Sequence, residues 1–389
     1  MKKKTYYDGH EAPANIADRV RLYNEFKKLG SKLLTINEKL EIVNRDTAEY
    51  IEVVQDETIC YSNHVQRGYW GNPNKVNCLP PKSDGIRIMS SDFITPDGYL
   101  MYNDAAWERV KNRPENKERV ERLGEFQARI AGRLIKQGYY NSEQCAEDFY
   151  RACQIIKENY NGKYKPIFFI DHSPIHKAIR KDALHAQSMN VSDGGKQRYQ
   201  CDGYYHIVSE EGQRTRIRQS MVFEDGPKKG KQKGLRTVCL ERFGPERVAG
   251  LKKKEDFVRL LQNEEDFAAT EIWLKEIAAE FGGDVIFNVK FHPELSAIEL
   301  FYRDHSLFMR VHNIIGETKE FEKNYELAIQ SVPIETIRRY FLSGERMLEA
   351  YMIEDADGDN VMEYYNHLKL IQGFVLHDQY QTQIICRSR

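Results

Sequence analysis

The stretch that decides the fold is Tyr164-Lys-Pro-Ile-Phe-Phe-Ile-Asp-His-Ser-Pro-Ile-His176. Its apolar centre, residues 167–170, lies between Pro166 and Pro174. A short, continuous apolar run of this kind is typical of a strand buried on both faces in a partly parallel sheet. Asp171 stands at the carboxyl end of that strand, where open α/β sheets carry their chemistry, although Asp is also a common turn former. If other acidic side chains reach the same edge of the sheet, the sequence predicts a functional site at this strand end.

A second acid follows from the stretch Gly85-Ile-Arg-Ile-Met-Ser-Ser-Asp-Phe-Ile94. Its alternating apolar residues predict a strand, and Asp92 falls near the strand end. The next four residues, Thr95-Pro-Asp-Gly98, are typical of a tight turn. Residues 99–102 then return as a partner strand, so the sequence predicts a β-hairpin with Asp92 just before its turn.

The third acid lies on a helix that follows a strand at 284–291. The pair His292-Pro293 is expected to start that helix, because proline suits the first helical turn. Glu299 lies beside the apolar Ile298 on the inward face. Glu294 is five residues earlier and about 140° away around the helix, so the two glutamates are not expected to serve one site.

The remaining pattern is mainly helical. Amphipathic helices are predicted within 104–135, 142–160, 255–280, 321–329 and 334–351, with a further helix over 175–189. Residues 50–54 and 204–208 predict short strands. Near the start, Asp8, His10 and Glu11 could be metal ligands, but a turn before a helix explains them as well and is favoured. The polar segment 355–360 lacks two diagnostic residues of a calcium loop and is interpreted as a turn.

Composition excludes several classes of protein. The 389 residues carry 58 Lys+Arg and 59 Asp+Glu, a formal net charge of −1, so contact with nucleic acid must be a local property. The seven cysteines form no C-x-x-C pair, which argues against a zinc ribbon and favours reduced thiols. No apolar run approaches the length of a membrane span, and no secretory signal follows the N-terminal lysines.

The three acids together suggest a metal centre. Asp92, Asp171 and Glu299 would offer all-oxygen, anionic ligation, which suits Mg²⁺ or Mn²⁺ and disfavours Zn²⁺. Two such ions about 3.5–4 Å apart can clamp a phosphodiester, so no nucleophilic side chain is needed. The sequence contains no G-x-S-x-G elbow that would offer one.

Basic residues mark two candidate DNA contacts. The most cationic segment is Gly226-Pro-Lys-Lys-Gly-Lys-Gln-Lys-Gly-Leu-Arg236, where a solvated loop and a phosphate-binding loop are equally compatible with the pattern. The other group closely follows Asp171. The DNA-binding candidates are Lys177, Arg180, Lys181, Lys228, Lys229, Lys231, Lys233 and Arg236.

The segments around Asp171 and Glu299 resemble the second and third catalytic motifs of mariner-like DDE superfamily transposases. Residues 88–94 are similar to the first motif. Further segments, Tyr7-Asp-Gly-His-Glu11 and 189–197, resemble a eukaryotic subgroup of these enzymes. The resemblance covers residues 6–315 and is most specific around Glu299. It implies an α/β, ribonuclease H-like mixed sheet flanked by helices, with Asp92 on strand one, Asp171 on strand four and Glu299 on a late helix.

The resemblance also implies a division of the chain and a function. The expected parts are an N-terminal segment (1–84), a core in two pieces (85–186 and 281–315), a large insertion before the last catalytic helix (187–280) and a C-terminal helical region (316–389). The implied activity is metal-dependent DNA cleavage and strand transfer, with transposon ends and target DNA as partners, a homodimer, no membrane and a nuclear location.

Two alternatives stay open at this point. No helix-turn-helix pattern precedes the first motif, and the residues flanking Glu299 differ from the usual motif. Both features suit a domesticated, catalytically inactive DNA-binding or assembly protein on the same fold. A ribonuclease H-like nuclease that does not transpose is the other alternative, because a fold does not fix a function.

Overall fold

A computed structural model describes residues 9–64, 83–209, 212–312 and 318–353, together with 362, 365 and 366. The polar segment 355–360 and Asp8 lie outside these residues. The chain forms two compact units: a core unit, Met1–His176 with Ile277–Arg389, and an inserted unit, Lys177–Glu276. Among the described residues, no helix is both long and apolar enough to cross a membrane.

The strands form one large sheet and one small one. The large sheet of the core unit runs in the order β3-β2-β1-β5-β8, and β4 pairs with β2 beside that path. The β1–β2 and β2–β3 pairs are antiparallel, and β1–β5 and β5–β8 are parallel. The strands are β1 (Tyr50–Tyr61), β2 (Arg87–Thr95), β3 (Gly98–Tyr99), β4 (Arg133–Ile135), β5 (Lys165–Ile170), β6 (Gly203–Val208), β7 (Arg214–Gln219) and β8 (Asp284–Phe287). This mixed order confirms the predicted ribonuclease H-like sheet.

Helices cover both faces of the large sheet. The helices of the described chain, of which α6, α7 and α8 belong to the inserted unit, are in chain order α1 (Pro13–Leu29), α2 (Asp104–Val110), α3 (Pro114–Leu123), α4 (Glu125–Arg129), α5 (Ser142–Asn159), α6 (Leu235–Val248), α7 (Lys254–Leu261), α8 (Glu265–Ala268), α9 (Trp273–Glu280), α10 (Ala297–His312), α11 (Thr318–Ser331) and α12 (Ile334–Ala350). One face packs on α5 through Phe149 and Phe168, whose ring centroids are 4.7 Å apart. The opposite face buries Val54 and Phe169 in a cluster with residues of α10, α11 and α12.

Local sequence signals explain several of these elements. Helix α5 begins at a capping box. The Asn141 side chain accepts a hydrogen bond from the backbone N–H of Gln144, and the Gln144 side chain accepts one from the backbone N–H of Asn141. The predicted hairpin is confirmed, because Ile94 pairs with Tyr99 and Thr95 with Gly98. The predicted strand at 167–170 is confirmed as β5.

The inserted unit has its own core. Its strands β6 and β7 pair with each other alone, and helices α6 and α7 pack together. Leu235, Phe257 and Leu261 are fully buried in its apolar cluster. The predicted helix over 175–189 is wrong: only the single turn Ala186–Ser188 forms there. The Arg198 guanidinium donates to the carbonyls of Arg180 and Lys181, so backbone groups that a helix would use are bonded elsewhere.

The segment before residue 85, which was expected to precede the core, supplies a strand of the large sheet. Strand β1, which belongs to the predicted N-terminal segment, lies at the centre of the large sheet between β2 and β5. Its middle residues Gln55, Asp56, Glu57 and Thr58 interrupt the apolar pattern, so the sequence predicts a strand only over 50–54. The residues assigned to a separate C-terminal region also include α11 and α12, which pack on this sheet.

Candidate active site

An open cleft of about 450 Å³ lies at one edge of the large sheet. Its walls come from the middle of β1, the end of β5, the segment after β8 and the first turn of α10. The lining residues are Gln55, Asp56, Asp171, His172, Ser173, Asn288, Val289, Lys290, Phe291, His292, Pro293, Ser296 and Glu299. Three carboxylates, those of Asp56, Asp171 and Glu299, therefore face one space.

Strand pairing brings Asp56 beside Asp171. The parallel register joins Val54 to Phe169, so the residues two positions further along, Asp56 and Asp171, follow on the same face. That face also carries the apolar cluster beneath α10. Two carboxylates on neighbouring strands thus reach the cleft as a direct consequence of sheet register.

Helix α10 supplies the third carboxylate. It begins at Ala297 after a separate turn, Pro293–Leu295, so the helix starts later than the sequence predicts. Ile298 and Phe301 are fully buried, which leaves Glu299 exposed at the cleft in the first turn. Tyr302, one turn further on, donates a hydrogen bond from its hydroxyl to the backbone carbonyl of Asp56 at 2.6 Å. That bond joins the helix to β1 next to the two acids.

The electrostatics of the cleft suit a divalent cation. Burial, and then the nearby charges of Glu57, Glu299 and Asp171, raise the pKa of Asp56 to about 7. Burial and the charge of Asp171 also raise the pKa of Glu299. Mutual repulsion of this kind is relieved when a cation binds between the carboxylates. The donor set is all oxygen, which fits Mg²⁺ or Mn²⁺.

His176 supports Asp171 from within the core. Its side chain is fully buried, with Nδ1 2.6 Å from Asp171 Oδ1 and Nε2 3.2 Å from Glu57 Oε1. Burial alone would lower the pKa of His176, but hydrogen bonds to Asp171, Cys145 and Glu57 outweigh it and raise the pKa to about 12. A buried imidazolium therefore bridges two carboxylates. It also helps hold the pKa of Asp171 below its usual value, against the effect of burial.

Asp92 does not join this group, which corrects the expectation that it lies on strand one. It lies on β2, where it is opposite Asp56 and only 1% exposed. Its carboxylate accepts hydrogen bonds from Ser90 (2.5 Å), Tyr99 (2.6 Å) and Tyr325 (3.2 Å), and burial raises its pKa. Asp92 is therefore enclosed by three hydroxyl donors and is absent from the cleft lining.

The sequence missed Asp56 because nothing local distinguishes it. It lies in a polar segment, Gln55-Asp-Glu-Thr58, that reads as the end of a strand. The signal that could have found it is topological: the central strand of a mixed sheet must run beside β5, so an acid on β1 would meet Asp171. Only the strand order reveals which segment is that neighbour.

The predicted DNA-binding residues all lie in the inserted unit, and several have partners there. Lys228 pairs with Asp193 at 2.7 Å, Lys233 with Glu241 at 2.8 Å, and Arg180 with Asp182 and Glu276. Lys229, Lys231 and Arg236 are exposed, as are Lys177 and Lys181. The basic loop is therefore partly neutralised by its own unit.

No protein-family model matches the chain, and no curated protein matches it. Solved structures to which it is similar include complexes of Mos1 transposase. The paired-end complex with the left transposon end shares 10% identity at a TM-score of 0.44, over 91% of this chain and 66% of that one. The Mos1 mariner paired end complex with Mn shares 9% identity at a TM-score of 0.43, over 88% of this chain and 62% of that one. The chain spans less than two thirds of those proteins, and a likeness this remote assigns no activity.

Proposed function

We propose that this chain is a metal-dependent nuclease of the DDE transposase type, which cleaves DNA phosphodiester bonds and transfers strands. The observation that carries the proposal is the convergence of Asp56, Asp171 and Glu299 from β1, β5 and α10 on one open cleft. The resemblance of the motifs around Asp171 and Glu299 to mariner-like transposases supports DNA as the substrate. A homodimer and a nuclear location are expectations from the same resemblance.

Asp56, Asp171 and Glu299 would hold two Mg²⁺ or Mn²⁺ ions. When bound, such ions activate water or a 3′-hydroxyl and stabilise the leaving oxygen of the phosphodiester. The chain's own residues have distinct tasks. His176 fixes the orientation of the Asp171 carboxylate, and Tyr302 holds the start of α10 against β1 so that Glu299 faces the two aspartates.

Contact with the DNA backbone is proposed for Lys229, Lys231 and Arg236, the exposed cations of the basic loop for which no ion pair is found among the described residues. When such cations neutralise phosphates, the counterions condensed on the DNA are released, which favours binding. Lys228 and Lys233 already neutralise Asp193 and Glu241. We expect these two to contribute less.

Plasmid nicking tests the activity. The purified chain should convert supercoiled plasmid to the open circle with Mn²⁺, and Asp171→Asn should reduce the rate by about 100-fold or more. Asp46→Asn is the matched control, because that side chain is fully exposed beside Lys163.

Two outcomes would overturn the proposal. Cleavage of RNA–DNA hybrids without nicking of DNA would indicate a ribonuclease H-like nuclease. No cleavage of either substrate, with no rise in Tm on adding Mn²⁺, would indicate a DNA-binding or assembly protein that has lost its activity.

A further inference from the structure

A second group of metal-ligand side chains lies at the turn that precedes Glu299. Glu294 Oε1 is 2.7 Å from His292 Nδ1 and 3.4 Å from His10 Nε2. One ligand atom from each of the three residues lies within 4.8 Å of the other two. The two imidazole rings are only 3.9 Å apart between centroids. Residues 282 positions apart in the chain thus form one compact cluster.

The backbone conformation at Gly9 allows His10 to reach the cluster with His292 and Glu294. Gly9 has a φ of 75°, a conformation that residues with a side chain rarely adopt. A Cβ at this position would lie 3.2 Å from the ring of Phe291. Glycine therefore lets the chain pass close to Phe291, and the next residue, His10, reaches His292.

Side chains around His10 resemble the outer shell of a metal site. His10 Nδ1 is 2.6 Å from Glu11 Oε1, and Arg19 holds both oxygens of Glu11 at 3.1 and 3.0 Å. A histidine that ligates a metal commonly gives its other N–H to a carboxylate in this way. With that proton on Nδ1, the Nε2 lone pair of His10 faces the Glu294 carboxylate, an arrangement that a cation between the two atoms would stabilise.

His292, like His10, has a ring nitrogen that could supply a lone pair to a metal ion. Its side chain is fully buried, and within the described residues its Nε2 has no hydrogen-bond partner. Its Nδ1 meets only the Glu294 oxygen already shared with His10. Leaving a buried polar atom unpaired destabilises the folded chain, so a purely structural histidine would normally avoid it.

We propose that His10, His292 and Glu294 bind one transition-metal dication, Zn²⁺ in the first place. Two imidazoles and a carboxylate are the nitrogen and oxygen ligands that Zn²⁺ accepts, unlike the three carboxylates of the cleft. The 3.4 Å between His10 Nε2 and Glu294 Oε1 also matches the edge of a tetrahedron with Zn–ligand bonds of about 2.0–2.1 Å, which is about 3.3–3.4 Å. The Tyr351 hydroxyl lies 3.0 Å from both atoms, at the remaining side of the cluster.

The bound ion would hold together three segments that are distant in the chain and that meet beside the cleft. His10 comes from the residues before α1, Tyr351 from the end of α12, and His292 and Glu294 from the turn that leads into α10. His292 and Pro293 of that turn line the cleft that Glu299 faces. The site is thus a structural centre that holds the turn before a catalytic residue, and its existence does not depend on the proposed function.

Metal content tests the proposal directly. The untagged chain of 389 residues, dialysed against metal-free buffer after exposure to Zn²⁺, should retain about one Zn²⁺ per chain by mass spectrometry. Co²⁺ added in place of Zn²⁺ should give the intense visible bands of a tetrahedral site. His10→Ala and Glu294→Gln should each weaken Zn²⁺ binding by about 100-fold or more, and Zn²⁺ should raise the Tm of the wild-type chain but not of the variants.

Matched controls separate this site from the others. His64→Ala removes an exposed histidine beside Asp84 and should keep the full zinc content. Asp171→Asn alters the cleft and should keep it too, whereas the zinc-site variants should still bind Mn²⁺ at the cleft. Zinc content and Co²⁺ spectra that are the same in wild type, His10→Ala and Glu294→Gln would overturn the proposal and leave the cluster as a hydrogen-bond network.

Discussion

Asp56 on β1 lies directly opposite Asp92 on β2, yet only Asp56 lines the cleft. The two side chains share a face of the sheet, because opposite residues of an antiparallel pair point the same way. Asp56 is one strand nearer to β5 and Asp171. Asp92 instead lies under α10 and α11, where Tyr99 and Tyr325 donate to its carboxylate. A shift of one strand therefore separates an acid that lines the cleft from an acid that is enclosed by hydroxyl donors.

The first prediction concerns the charge of His176. Because the hydrogen bonds to Asp171 and Glu57 raise its pKa to about 12, both ring nitrogens should remain protonated at pH 9. Its stabilising charge is fully present below the unfolded pKa of about 6.5 and is lost only as the pH rises towards 12. Nitrogen-15 NMR of histidine-labelled protein, with the signal assigned from His176→Gln, measures this.

His305 is the internal control for that spectrum. It is fully buried near Tyr325, and burial lowers its pKa to about 4. We expect the His305 ring to be neutral at pH 6 in the same sample. A neutral His176 at pH 8 would contradict the bridging role assigned to it.

A second prediction concerns the stability of the core at different pH values. Glu52 is buried in the sheet, Glu345 lies on α12, and the two line one small cavity. Burial and the charge of Glu349 raise the pKa of Glu345 to about 7, and burial also raises the pKa of Glu52. The folded chain therefore binds more protons than the unfolded chain between about pH 4.5 and 7, so this pair makes stability fall as the pH rises through that window.

Thermal unfolding at pH 5.5 and pH 8 checks the effect. The Glu345 contribution is at most about 3 kcal/mol, because one pKa unit corresponds to about 1.4 kcal/mol. Glu345→Gln should raise the Tm at pH 8 by a few degrees and flatten the pH dependence. Glu335→Gln, on the first turn of the same helix, is the control. If the Tm of Glu345→Gln depended on pH as the wild-type Tm does, the pKa of this carboxyl would not be raised in the folded chain.

A third prediction concerns the basic loop. Lys229→Gln with Lys231→Gln should reduce the slope of log K against log salt for duplex DNA by about 1.8, since each phosphate contact contributes about 0.9. Lys228→Gln with Lys233→Gln removes the same number of positive charges, but these two lysines are already paired with Asp193 and Glu241. That double variant should change the slope less. Equal changes in both double variants would mean that pairing within the unit does not decide which lysines meet DNA.

The elements that the sequence predicts correctly are those with a local signal. Strand β5 is a continuous apolar run, the β2–β3 hairpin contains a Pro-Asp-Gly turn, and α5 begins with a capping box. Glu299 is placed correctly at the cleft because its neighbour Ile298 identifies the buried face of α10. In each case a few adjacent residues contain the information.

The elements that the sequence misses depend on distant contacts. The second half of β1 is polar, and it is a strand because β2 and β5 pair with it on either side. Asp92 has the local pattern of a strand-end acid, and only its tyrosine partners, one of them 233 residues away, show that it is enclosed. His10 lies next to His292 and Glu294, but these residues are too far along the chain for sequence spacing to link them to it.

Replacement of the two opposed aspartates is the most direct test of the central claim. Mn²⁺-dependent plasmid nicking would be measured for the wild-type chain, Asp56→Asn and Asp92→Asn, with thermal unfolding to confirm that each variant is folded at the assay temperature. The account predicts that Asp56→Asn loses about 100-fold or more of the rate and that a folded Asp92→Asn keeps most of it. The reverse result, with activity lost in folded Asp92→Asn and kept in Asp56→Asn, would contradict the assignment of the cleft.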